Sequence, residues 1–106
     1  MSALKDLQHW YLSQCNGDWE HTYGVSIETL DNPGWSCIID LSETILENVK
    51  FQKYSYGVEE QTHSSGDEWL VCKVKDKKFM GYGGSQKLEE IIEVFLKWEK
   101  SINYPE

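Results

Sequence analysis

Asp18, Glu20, His21 and Asp31 are the residues whose types could do chemistry together. Three carboxylates and an imidazole suit metal-assisted hydrolysis, which needs its ligands to converge on one ion at about 2.0–2.2 Å. No H-E-x-x-H, H-x-E or paired Cys–His spacing accompanies them. His9 and His63 fall in a predicted helix and a predicted loop with nothing nearby to mark them. No nucleophile–base signature appears anywhere in the chain. Gly81-Tyr82-Gly83-Gly84 before a helix has the ingredients of a phosphate-binding turn. Its spacing is neither a P-loop nor a dinucleotide fingerprint, and Glu89 and Glu90 follow where phosphate would want cations. The expectation is a protein that is not an enzyme, with no metal and no cofactor.

Charge gives the cluster a different use. Ten lysines face eighteen acidic residues, a net charge of −8, and the chain has no arginine. Asp18, Glu20, Glu28, Asp31, Asp40, Glu43 and Glu47 lie between positions 16 and 48, where there is no lysine. A one-sign field of this kind steers basic partners and repels nucleic acid and anionic membrane. Within it, Trp19 sits between Asp18 and Glu20. An aromatic flanked by acids suits an interface anchor, with the ring for burial and the carboxylates for a basic partner. It reads equally well as a plug for the end of the core, with Glu20 and His21 holding local backbone. Trp10 and Trp98 stand at core-compatible helical spacing, and Trp69 opens a strand. The aromatic wealth also leaves a second function open, a small-ligand domain that binds carbohydrate or nucleotide on its Trp-rich hairpin.

The elements that must position these residues follow from periodicity. Leu4, Leu7 and Tyr11, with Trp10 beside them, predict a helix over residues 2–15, capped by Ser2 and stopped at Asn16-Gly17. Alternation then predicts a strand over 20–30, with Tyr23, Val25 and Ile27 on one face and Gly24, Ser26 and Glu28 on the other. Asp31-Asn32-Pro33-Gly34 is a turn in which Asp caps, Pro fixes φ and Gly accepts a positive φ. A second strand runs from Trp35 to Leu41 and completes a hairpin. Residues 42–48 read as one helical turn or an irregular crossing. Further strands are expected at 50–58, 69–75 and 79–82, with a polar loop over 59–68 and a turn at Lys77-Lys78. Leu88, Ile91, Ile92, Phe95, Trp98 and Ile102 form the apolar stripe of a final helix.

The predicted fold class is therefore α+β, an antiparallel sheet of about five strands flanked by an N-terminal and a C-terminal helix. A chain of 106 residues is one domain spanning 1–106. Two helices on one face leave the other face partly free, and an uncovered face or edge permits a homodimer. An odd cysteine count (Cys15, Cys37, Cys72) without C-x-x-C spacing is a poor disulfide framework. MSALKDLQHW lacks the layout of a signal peptide, and no apolar run reaches the ~20 residues of a membrane span. The expected compartment is the cytoplasm.

The stretch WYLSQCNGDWEHTYGVSIETLDNPGWSCIIDL resembles the signature of a bacterial polymorphic-toxin immunity family, immunity protein 53. The likeness runs through W-Y-x-x-Q-C-x-G-D-W-E-H, G-x-x-I-x-T-L-D-N-P-G-W and I-D-L. It continues through Trp69 to Cys72, the G-x-G-G turn at Gly81 to Gly84 and the closing helix with Trp98. The resemblance implies an antidote that binds and neutralises a cognate toxin in the cytosol. It implies nothing about that toxin's chemistry. Many toxin domains are nucleases with basic grooves, and the acidic surface suits such a partner. The candidate toxin-binding residues are Asp18, Trp19, Glu20, His21, Glu28, Asp31, Trp35 and Asp40. A recurring motif of this kind can build the fold as readily as the interface.

Overall fold

Ser2 caps the first helix as its position predicts, its hydroxyl accepting from the Lys5 amide at 3.1 Å. That helix, α1 (Ala3–Gln14), opens a computed structural model that describes residues 2–31, 33–58 and 68–103. A four-residue helix α2 (Trp19–Thr22) follows, then the hairpin β1 (Val25–Leu30) and β2 (Gly34–Asp40). β3 (Tyr54–Tyr56), β4 (Leu70–Lys75) and β5 (Lys78–Gly83) complete the strands, and α3 (Leu88–Asn103) closes the order. The five strands form one antiparallel sheet in the order β1-β2-β5-β4-β3. The α+β expectation is met, with a terminal helix at each end of the chain.

Both long helices lie on the same side of the sheet. Cys37 and Ile39 from β2, Phe79 from β5 and Leu70 and Cys72 from β4 point into that layer and are fully buried. Ile91, Ile92, Phe95 and Leu96 of α3 press onto them. α1 joins through Ala3, Leu7 and Trp10, whose ring meets Phe95 edge-on at 4.9 Å. Leu4 and Tyr11, expected on the inner stripe, are exposed. Seating the large Trp10 ring between Trp19 and Phe95 rotates the helix away from them. The three cysteines are free thiols, and burial pushes Cys37 and Cys72 up to about 12. No helix of the described residues is long and apolar enough to cross a membrane.

Three local readings differ from the periodicity. The strand expected from residue 20 begins at Val25, because residues 16–20 exchange side-chain and backbone bonds that wind one helical turn. Asn16 Oδ1 accepts from the Asp18 and Trp19 amides, while the Glu20 carboxylate accepts from those of Asn16 and Gly17, each at 2.9 Å. Gly17, at φ 96, supplies the left-handed residue expected after α1. The strand expected over 50–58 shrinks to Tyr54–Tyr56. The residues before it are tied to α3 instead: Trp98 donates to the Lys50 carbonyl, and Phe51 meets Phe79 and Trp98 at 5.6 and 5.0 Å. The turn before β5 is Asp76-Lys77, both at positive φ, so Lys78 already belongs to the strand.

Residues 42–48 cross irregularly in successive turns that bury Leu46 completely. Gly34 also differs from expectation. It does not adopt a positive φ; it is a close-approach residue, where a Cβ would collide with the backbone carbonyl of Gly83. Asn32 and most of the expected polar loop, residues 59–67, lie outside the described residues.

Candidate functional site

The eight candidate residues divide into two sets according to what their side chains touch. Trp19 is 1% exposed. Trp10, Tyr11 and Tyr23 ring it at centroid distances of 6.1, 6.0 and 6.0 Å, and its indole nitrogen donates to the Ser42 carbonyl at 2.9 Å. Trp35 is half-buried and its indole donates to the Ser85 carbonyl, which ties β2 to the connection leading into α3. Asp40 accepts from Lys78 Nζ at 2.6 Å and from the Gly24 amide at 2.9 Å. Glu20 closes the turn of α2. These four side chains are engaged inside the protein.

Asp18, His21, Glu28 and Asp31 are exposed. Asp18 and His21 stand at the corner between α1 and β1, and Asp31 follows the end of β1. Glu28 lies on the sheet face opposite the helices, since its partner Ser36 alternates with the inward Cys37. Asp18, Glu28 and Asp31 thus stand outward on different elements and do not form a convergent centre. Among the described residues no group of three or more His, Cys, Asp and Glu is placed to hold a metal ion.

Two of the field's other acids are neutralised by partners remote in sequence. Lys77 pairs with Glu47 at 2.9 Å and Lys78 with Asp40. The hydrogen bond from Lys77 lowers the Glu47 carboxyl from its ordinary value, and the pairing raises Lys77 in turn. Glu20 is lowered chiefly by its own backbone amide and then by those of Asn16 and Gly17, against desolvation. Its folded pKa lies below the ordinary 4.5. The stabilisation it contributes is therefore complete above that value and fades as pH falls through the folded one. Glu20→Gln is expected to lower the melting temperature at neutral pH, with the gap from the parent closing in acid. A pH series of thermal melts checks this, and a constant gap would refute it.

Sequence reasoning missed a groove of about 540 Å³ between α3 and the segment entering β3. Phe51, Tyr54 and Trp98 give it an aromatic wall extended by Val94, and Glu90 and Lys97 stand among its charged lining. The signal was available: Phe51 interrupts a polar run at the start of the expected third strand. Neither hairpin tryptophan lines this groove.

Residues 4–100 match a family model described as Immunity protein 53. No curated protein and no solved structure matches the chain. The match covers most of the 106 residues, so the chain belongs to the immunity protein 53 family.

Proposed function

We propose that this member of the immunity protein 53 family neutralises a cognate bacterial toxin in the cytoplasm by binding it directly, performing no chemistry of its own. The observation that carries the choice of surface is the exposure of Asp18, just ahead of the hairpin, and of Glu28 and Asp31 on it. These carboxylates make no ion pair among the described residues, unlike Asp40 and Glu47. An unneutralised acidic edge on a chain of net charge −8 suits a basic partner. A nuclease domain with a cationic substrate groove fits that description, because the acidic edge can occupy the groove in place of a polynucleotide. His21 and the partly exposed Glu20, Trp35 and Asp40 complete the candidate surface, and the buried Trp19 backs it. The two indoles act mainly by holding the edge in place, since their N–H groups are bound to backbone carbonyls.

The test is a triple variant, Asp18→Ala, Glu28→Ala and Asp31→Ala, measured against the toxin domain encoded beside this chain. The association rate is expected to fall about tenfold or more at low salt, within the ~10–10³ range of electrostatic steering. Its salt dependence should flatten at the same time. Unchanged affinity together with an unchanged salt slope would remove the hairpin edge from the interface.

A further inference from the structure

We propose that the sheet face turned away from the helices is the interface of a two-fold homodimer. No described helix packs on this face, although its centre is apolar. Ile38 of β2 lies beside Met80 of β5, with Tyr82 and Val71 adjacent, and all four are half-buried. The charges around that centre are divided by strand. The β1–β2 half carries Glu28 and Asp40, with Ser26 and Ser36 between them. The β5–β4 half carries Lys78, Lys73 and Lys75. Asp40 and Lys78 pair with each other within the chain, so Glu28 on one half and Lys73 and Lys75 on the other make the face complementary to a copy of itself.

Strand register specifies the arrangement. A two-fold axis parallel to the strands, running between β2 and β5, exchanges β2 with β5 and β1 with β4 while keeping each residue at its level along the strands. Ile38 pairs with Met80, Ser36 with Tyr82 and Asp40 with Lys78 at successive levels of this seam. The copy therefore lays its Met80 over Ile38, its Tyr82 over Ser36 and its Lys78 over Asp40. Ser26 and Ile38 share a level with Met80 and Lys73, which brings the copy's Lys73 over Ser26, one pleat from Glu28. Sheets stacked face to face sit about 10 Å apart, a gap that Lys and Glu side chains span together. An unrelated protein could cover this face, but it would need the same two-signed pattern in reverse, which the chain's own copy already carries.

The contact is modest. Six-residue strands rising about 3.3 Å per residue, in a sheet with about 4.8 Å between strands, give a footprint of roughly 20 by 20 Å. That is below the ~800 Å² per partner of a standard interface, so a weak, transient dimer is expected.

Glu28 and Lys73 lie on β1 and β4, separated by two intervening strands, so they have no contact within one chain. A charge-reversal cycle therefore reads only the contact between chains. Sedimentation of the purified chain without toxin, from low-micromolar to millimolar concentration, is expected to show a monomer–dimer equilibrium. Glu28→Lys alone and Lys73→Glu alone should each weaken it about tenfold through like-charge contacts, and the double reversal should restore it. Thermal melts of each variant check that these surface changes leave the fold intact. Met80→Ser, with no charge change, should weaken the dimer as well. A chain that is monomeric throughout, or a double reversal that fails to rescue, overturns the proposal. Loss of toxin binding by Met80→Ser in a chain that never dimerises would give the face to the toxin instead. Glu28 belongs to both readings, whereas Asp18 lies off this face, so Asp18→Ala alone tests the toxin reading separately and either reading can fail while the other stands.

Discussion

Replacing Trp19 by Ala is expected to destabilise the fold by about 3–5 kcal/mol, the range for emptying a large aromatic site in a core. The ring is 1% exposed and closes the angle between α1 and β1 against Trp10, Tyr11 and Tyr23. Its loss also strands the Ser42 carbonyl, which has the indole as its donor. At about 4 °C per kcal/mol for a domain of this size, the melting temperature should drop by roughly 12–20 °C. Trp19→Phe keeps most of the burial, loses the N–H and should fall between the two. The measurement separates the two roles the residue could have. An anchor for the toxin would leave thermal stability near the parent's when truncated, and would cost only binding.

Gly34→Ala should also be strongly destabilising, for a reason unrelated to turn geometry. The added methyl would collide with the Gly83 carbonyl where β2 meets β5, with Leu30 Cδ1 and Trp69 Cζ2 each 3.4 Å away. Backbone on one side and packed side chains on the others leave little room to yield, so the cost should reach or exceed the ~1–3 kcal/mol of ordinary overpacking. Asn would be tolerated if a left-handed backbone were the requirement, since Asn adopts that region readily. Gly34→Asn is instead expected to be at least as harmful as Ala. Gly24→Ala gives the matched control: nothing lies within 4 Å of its Cβ position, so a change within about 0.5 kcal/mol is expected. Equilibrium denaturation of the three variants decides the matter.

These two positions also show where sequence reading reaches its limit. Helical spacing in α3 and the alternation of β1 are local patterns, and both were legible down to the faces on which Ile27 and Glu28 lie. Trp19 could not be assigned, because its burial depends on Trp10 and on a carbonyl 23 residues along the chain. Gly34 looked like a turn glycine because its steric neighbour, Gly83, belongs to a strand that periodicity cannot pair with it. The acidic field was visible as composition, yet the partners of Asp40 and Glu47 come from the β4–β5 turn region, remote in sequence. α2 was hidden differently. Its Asn16–Glu20 exchange is local, but the apolar–polar alternation that follows it suggested a strand starting too early.

The packing of α1 against α3 has a consequence for when the protein can work. Asp6 and Lys100 meet at 3.5 Å although 94 residues separate them, and Trp10 of the first helix rests on Phe95 of the last. The β2–β5 seam likewise joins the middle of the chain to its last strand. Contacts of such long sequence separation form only after the intervening chain has been made, and they slow folding because loop closure precedes any reward. The acidic hairpin near the N-terminus thus acquires its rigid backing only when α3 has emerged from the ribosome. Under the proposed function, binding waits for α3, and a chain truncated before α3 would have the acidic sequence without a surface to present it.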